Sequence, residues 1–368
     1  MVSELLNTYP TNSLSWDQLS YNQDSSLKNL HYGLIHNGFQ MTCITGEDRL
    51  FPYINQSLIP VKYTLIQNGD LILADASEDR KDVGRPVEML DIGNQKIVSG
   101  LHTIHARNKT NLIANGFKGF YFQSSAMKQQ IFKIANGSKI YGISSSTFNG
   151  LKMRIPEKQE QKKIVDLMIT IEERIQTQSK IIDRLQSQIK YIKGQILNLT
   201  TTIEIKSLDQ LCDISTGKRD ANEMKINGMY KFFTCSREDY CIDTYSFEGE
   251  ALIISGNGEL GLIKYYNGKF DAYQRTYVLQ NFNCHPKYLM YVLQSKLPRK
   301  IEKEKNVGAM PYIVLKTLTS INVEIPNMHD QIEIVDILNK FEEKLENEQI
   351  LLELFKKEKS FLLKNLFV

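Results

Sequence analysis

The sequence predicts an α/β protein built twice over: two mixed α/β domains, each followed by a long helix, with the two helices pairing antiparallel as a coiled coil and the halves related by a pseudo-two-fold axis. Three observations predict it. First, Ile155-Pro156-Glu157-Lys158-Gln159-Glu160-Gln161-Lys162-Lys163-Ile164-Val165-Asp166 returns 170 residues later as Ile325-Pro326 through Gln331, Ile334, Val335 and Asp336 without a gap, and Glu172-Glu173 meets Glu342-Glu343. Second, both copies continue into a heptad pattern. Third, the segments between them repeat more weakly. A register this long is the mark of duplication.

The first predicted element is a domain over residues 1–154. Gly69 to Ala74 and Lys96 to His105 read as strands, being short apolar runs bounded by turn residues. Residues 155–203 form the central long helix. Its opening Pro156 suits a first turn, where a missing N–H does no harm. Apolar residues then alternate by four and three at Ile164, Met168, Ile171, Ile175, Ile182, Leu185, Ile189, Ile192, Ile196 and Leu199, with Gln178 the one polar position. Such a heptad seam needs a partner helix.

Residues 204–324 form the second domain, with strands at Gly249 to Ser255 and Thr276 to Gln280 and a helix near Pro286 to Glu304. Residues 325–368 repeat the seam at Ile334, Leu338, Phe341, Leu345, Leu352, Phe355, Leu362 and Leu366, with Glu348 and Lys359 polar. The nets of +2 and −3 on the two helical segments favour their pairing. A second apolar stripe at Ile350, Leu351, Leu354 and Phe361 is wider than one partner requires. It suggests a docking face for another protein, with local core as the competing account. Within the domains, Trp16-Asp17-Gln18-Leu19 matches Leu208-Asp209-Gln210-Leu211 at offset 192, Gly69 matches Gly249, and Gly137 with Tyr141 matches Gly308 with Tyr312.

At 368 residues and 42% hydrophobic content the chain can bury sizeable cores. No signal-peptide pattern opens it, and no apolar run approaches the roughly 20 residues that span a bilayer. Five cysteines without a C-x-x-C pair indicate neither a disulfide framework nor a zinc site. A cytoplasmic protein with reduced thiols and no membrane partner is the expectation. Charge is distributed informatively: residues 92–154 hold nine basic side chains and no Asp or Glu. A polyanion would be drawn to such a face, though a merely solvated basic face is an equal reading of this feature alone.

Catalytic motifs fail on inspection. Gly256-x-Gly258-x-x-Gly261 resembles a dinucleotide-binding turn, but the residues after it read as a strand where that fingerprint must open a helix. A glycine-rich hairpin turn fits better. Ser215-Thr216-Gly217-Lys218-Arg219 lacks the first glycine of a P-loop. His102 and His105 fall on opposite faces of the predicted strand, which argues against a shared metal. Glu302 and Glu304 sit in a mixed-charge run with no acidic partner upstream. No catalytic residue and no metal site are expected.

Two differing domains alternating with two near-identical helices that open Ile-Pro and continue through Gln161 to Val165 or Gln331 to Val335 resemble the specificity subunit of type I restriction-modification systems. Lys28-Asn29-Leu30-His31-Tyr32-Gly33 and the turn from Gly308 to Tyr312 add to the likeness, which covers essentially the whole chain. The resemblance implies that residues 1–154 and 204–324 are target-recognition domains, each reading one half of a split, asymmetric site on double-stranded DNA. It implies that the helices are the spacer and dock two methyltransferase subunits, which a translocase-nuclease restriction subunit joins. It also implies no cofactor in this chain, with S-adenosylmethionine, ATP and Mg in the partners. Basic or aromatic residues beside turns in the two copies are the candidate DNA contacts: Arg107, Lys109, Lys139 and Tyr141 in the first domain, Lys218, Arg219, Arg275 and Tyr312 in the second. A methyltransferase carrying its own recognition domain would need a catalytic N-P-P-Y-like motif and a cofactor-binding unit, neither of which is visible. A coiled-coil scaffold without DNA affinity would leave the acid-free stretch unexplained.

Overall fold

The computed structural model describes residues 1–22, 25–37, 39, 41–45, 51–195, 203–304 and 312–367. The chain divides into two compact units, residues 1–181 with 349–368 and residues 182–348.

In the first unit a five-stranded sheet runs in the order Leu6–Tyr9, Thr103–Asn108, Leu71–Ala74, Pro86–Asp91, Cys43–Thr45, all neighbours antiparallel except the last pair. The central strand, Leu71–Ala74, is buried along its whole length. A second sheet pairs Leu27–Leu30 in parallel with Lys96–Ser99. The stretch 96–105 is therefore two strands in two sheets, not one as the sequence suggested. Gly100 breaks it where a Cβ would come within 2.3 Å of the Asn29 side chain, and His102 follows at φ +53°. Few non-glycine residues adopt that conformation.

The second unit repeats the frame with fewer strands. Its main sheet runs Asp213–Thr216, Thr276–Gln280, Glu250–Ser255, Ile263–Asn267, all antiparallel. A smaller sheet again contains a parallel pair, Tyr230–Phe233 with Phe270–Ala272. Gly258 and Gly261, at φ +59° and +76°, turn the chain between Glu250–Ser255 and Ile263–Asn267. The glycine run is thus a hairpin turn that opens no helix, as its following apolar alternation implied.

Equivalent hydrogen bonds fix the true alignment of the copies. Val2 N–H donates to Leu151 O at 2.8 Å, and Leu208 N–H donates to Ile321 O at 3.1 Å. Val2–Leu5 therefore corresponds to Leu208–Leu211, and the sequence match of Trp16 to Leu19 with that segment is an error. Its cause is local: Ser15 with Gln18 and Ser207 with Gln210 both form capping boxes. Ser-x-x-Gln builds the same short turn wherever one is needed.

The long helices are Lys158–Gln195 and Met328–Asn365. The repeated residues at their starts make repeated bonds. Gln161 accepts from Ala114 N–H at 2.8 Å and donates to Pro156 O at 2.8 Å. Gln331 accepts from His285 N–H at 2.8 Å and donates to Pro326 O at 2.8 Å. In each unit this amide ties the helix start to the loop that opens a domain helix.

Further along, the repeated glutamates each take a lysine from the other long helix. In the first unit Glu172 accepts from Lys359 Nζ at 2.6 Å and from Thr42 N–H and Oγ1 at 2.8 and 2.5 Å. Lys359 breaks the seam for this reason. In the second unit Glu342 accepts from Lys193 Nζ at 2.9 Å and Tyr291 Oη at 2.8 Å.

The seam is closed inside each unit. Arg174 lies over Phe355 while Glu172 meets Lys359, so within the first unit the helices run antiparallel. Ile164, Val165 and Met168 share the first core with Leu362, Leu366 and Phe367. The Phe367 ring lies 5.6 Å from Phe117 and 5.9 Å from Tyr121. Ile192 packs with Ile334, Val335 and Leu338 in the second. Of the seam positions, Ile171, Ile182 and Leu185 are also buried, while Ile175, Phe341, Leu345, Leu352 and Phe355 are half-buried. Ile196 and Leu199 lie outside the described residues.

Candidate nucleic-acid interface

The acid-free stretch of the sequence is not one-signed in space. Lys118 is fully buried and donates to Glu88 Oε1 at 2.8 Å; Glu88 also accepts from Gly116 and Gly119 N–H at 2.8 and 2.7 Å. Arg107 grips Asp70 with two bonds of 2.7 Å and lies over the Tyr9 ring at 4.8 Å. His105 Nε2 sits 2.7 Å from the same carboxylate. Burial opposes ionisation of Asp70, but Arg107 and His105 outweigh it and hold its carboxyl below the usual range. Asp70 and Glu88, remote in sequence, thus neutralise two of the nine cations. Lys96, Lys109, Lys128, Lys133, Lys139, Lys152 and Arg154 remain exposed.

The first-unit candidates are not gathered together. Arg107 and Lys109 lie at the far end of the Thr103–Asn108 strand, and Lys109 Nζ donates to Ser3 O at 2.6 Å. Lys139 is exposed on the loop before Tyr141, and Tyr141 is half-buried with Arg80 over its ring at 5.8 Å. At about 3.3 Å per residue the two pairs are separated by the strand's length of roughly 20 Å.

The second-unit candidates converge. Arg219 N–H donates to Ala272 O at 3.3 Å, and Arg219 O accepts from Gln274 N–H at 2.9 Å. This places Lys218 and Arg219 beside the turn that carries Gln274 and Arg275. A cleft of about 350 Å³ is lined by Thr216, Gln274, Arg275, Tyr277 and Tyr312. Arg219 is held by Asp271 at 3.1 Å and Glu223 at 3.3 Å, and its bond to Asp271 raises its pKa further. Lys218, Arg275 and Tyr312 are exposed. Gly308 lies outside the described residues.

The first unit has a cleft at the matching corner. Asp75 N–H donates to His102 O at 3.1 Å and Asp75 O accepts from Ile143 N–H at 2.9 Å. In the second unit Gly256 N–H donates to Arg275 O at 3.0 Å and Gly256 O accepts from Ile313 N–H at 2.8 Å. His102 therefore stands where Arg275 stands, and Asp75 where Gly256 stands. His102 Nδ1 is 3.3 Å from Asp75 Oδ1, and burial raises the Asp75 pKa against the opposing pull of that histidine.

The first cleft, about 950 Å³, is lined by Trp16, His31, Tyr32, His36, His102 and Ile140 among others. Tyr32 meets His102 edge-on at 5.3 Å. Burial lowers the His31 pKa, whereas the 2.6 Å bond to Asp82 raises that of His36. Sequence reading missed this corner because it ran one strand through His102. The usable signal was the match of His102-Thr103 to Arg275-Thr276 at offset 173.

On the C-terminal helix Ile350, Leu354 and Phe361 are each more than half exposed and Leu351 is also exposed. Among the described residues no His, Cys, Asp and Glu cluster could hold a metal, and no helix is long and apolar enough to cross a membrane.

One frame used twice, with different side chains at the same corner, defines a duplicated recognition scaffold. A family model described as type I restriction modification DNA specificity domain matches residues 86–187 and 201–355. The chain belongs to that family.

It is 35% identical over 146 residues to the type I restriction enzyme EcoDI specificity subunit of Escherichia coli, covering 40% of this chain and 32% of that one. Over 167 residues it is 29% identical to a putative type I specificity subunit of Mycoplasma pneumoniae, covering 43% and 45%. The chain thus spans less than half the length of these two relatives. Similarity to the MjaVIII specificity subunit of Methanocaldococcus jannaschii is 23% over 358 residues, 84% and 81% of the chains. In fold it is similar to the S subunit of a type I system from M. genitalium, with TM-score 0.64, 14% identity, and 100% and 95% of the chains covered. A chain from a type I system solved for its complex assembly and conformational transition gives TM-score 0.58 at 14% identity over 98% and 95%.

Proposed function

We propose that this chain reads an asymmetric, two-part sequence on double-stranded DNA, the first domain reading one part and the second domain the other, and that it performs no chemistry itself. The observation that carries this is the pair of corresponding corners, one presenting His102 and the other Arg275 on the same hydrogen-bonded frame. A shared frame with unlike side chains suits two related but different base sequences. Exposed Lys139 and Lys218 would position the domains on phosphates, which give affinity without sequence information.

The chain would dock two methyltransferase subunits in the cytoplasm, and the exposed apolar stripe of Ile350, Leu351, Leu354 and Phe361 supports a protein-docking face on this helix. Restriction subunits would join them. S-adenosylmethionine, ATP and Mg would act in those partners. The test is to express the chain with its methyltransferase subunits in a host without other DNA methylation and map the methylated adenines. A split motif with unlike halves is expected. Methylation by the isolated chain, or a single unbroken motif, would overturn the proposal.

A further inference from the structure

We propose that His102 and Arg275 are the specificity-determining residues of the two domains, Arg275 reading a guanine in one half-site and His102 an amino-bearing base, adenine or cytosine, in the other. The inference rests on the proposed reading of split DNA and adds which atoms do the reading.

Four observations carry it. The two residues hold one backbone position, each giving its carbonyl to the residue that follows a sheet strand, Asp75 after Leu71–Ala74 and Gly256 after Glu250–Ser255. Both side chains are open to solvent at the rim of a cleft. His102 keeps a left-handed backbone at φ +53°, a strain that a turn without a task would relieve with glycine. The residue opposite differs in step with the reader: Asp75 faces His102, whereas Gly256 leaves no carboxylate there to hold Arg275. A Cβ at Gly256 would lie 2.5 Å from Arg275 O, so no side chain fits between them.

The chemistry follows from these surroundings. Arg275 has no side-chain partner among the described residues, so its donor fork is free for the O6 and N7 acceptors of guanine. His102 directs Nδ1 to Asp75, so in the neutral imidazole the proton sits on Nδ1 and Nε2 is the acceptor. An acceptor at a base edge matches the N6 amino group of adenine or the N4 amino group of cytosine. Tyr32, edge-on at 5.3 Å, holds the imidazole in place.

The experiment maps methylated motifs for the full chain with its methyltransferase partners, comparing the unaltered chain with Arg275→Ala, Arg275→Lys, His102→Ala and His102→Gly. Arg275→Ala is expected to relax one guanine position in one half-site, discrimination falling roughly 5- to 150-fold, with the other half-site unchanged. His102→Ala should relax one adenine or cytosine position in the other half-site only. Lysine cannot reproduce a bidentate fork, so Arg275→Lys should remain relaxed. His102→Gly keeps the turn unstrained and should match His102→Ala, which separates lost reading from lost folding.

Unchanged motifs overturn the proposal. So does a uniform loss across all sites that Arg275→Lys restores, since that is a phosphate contact, or relaxation of both half-sites by one variant. Absence of any split motif with the unaltered chain would instead defeat the underlying reading.

Discussion

Replacing Lys118 by Met separates what this lysine does for the fold from what its charge suggests in the sequence. Lys118 and Glu88 are both fully buried, and Glu88 accepts from Lys118 Nζ, Gly116 N–H and Gly119 N–H. Methionine fills similar space but removes the counter-charge, leaving a buried carboxylate with two backbone donors. Breaking a buried pair from one side costs about 3–5 kcal/mol. For a unit of this size each kcal/mol moves the midpoint by about 2–4 °C. Calorimetry of the full chain should therefore show the first unit melting roughly 6–20 °C lower. Adding Glu88→Gln should recover part of the loss, because the uncompensated charge is gone. DNA binding titrated against salt should keep its slope in Lys118→Met, whereas Lys139→Ala should flatten it by about 0.9 if Lys139 meets one phosphate. A midpoint shift below about 2 °C, or a flattened slope in Lys118→Met, would refute the reasoning.

Truncating Phe367 to Ala should cost about 3–5 kcal/mol in the first unit, read as an earlier urea transition with the second unit's transition unmoved; coincident curves would show that the ring is not core. The bond to Asp82 raises the His36 pKa above its ordinary value, so its stabilisation is full below about pH 6.5 and is lost as pH rises through the raised value. His36→Gln should therefore lower the midpoint more at pH 6 than at pH 8, and an equal loss at both would sink the assignment. Four-residue insertions after Gln178 and after Glu348 lengthen each helix by roughly 6 Å. On the proposed reading the methylated motif should then gain one or two base pairs of spacer, at about 3.4 Å each, with its half-sites intact; an unchanged spacer at full activity would show that the helices are not the ruler.

The helices were legible because their signal is local and periodic. Ile164, Met168, Leu185, Ile334 and Leu338 recur at heptad spacing, and burial followed the spacing. The repeated Gln161 and Gln331 were legible as a motif, though not as the amides that tie each helix start to its domain. Failures came where the deciding contact is remote or the local signal is generic. The basic run from 92 to 154 looked one-signed because its neutralising partners, Asp70 and Glu88, precede it in sequence and meet it only once the chain is folded, Asp70 beside a neighbouring strand and Glu88 beneath a helix. The strand drawn from 96 to 105 ignored the break at Gly100, where the side chain of Asn29, some 70 residues earlier, leaves no room for a Cβ. Trp16 to Leu19 was matched to Leu208 to Leu211 because two capping boxes share a spelling. Arg275 and Tyr312 were named for their chemistry and line one cleft, while His102 lay inside a misread strand.

The packing of Phe367 onto Phe117 and Tyr121 sets a timetable for synthesis. The first domain's own residues are complete at about position 154, yet its core lacks an aromatic ring until the ribosome has added roughly 210 more residues. At about 5–20 residues per second that interval lasts roughly 10–40 s. Throughout it, Phe117 and Tyr121 are without the side chain that covers them, and the second domain emerges meanwhile. The nascent first domain therefore waits, its core short of one ring, until the helix Met328–Asn365 and the Phe367 that follows it arrive.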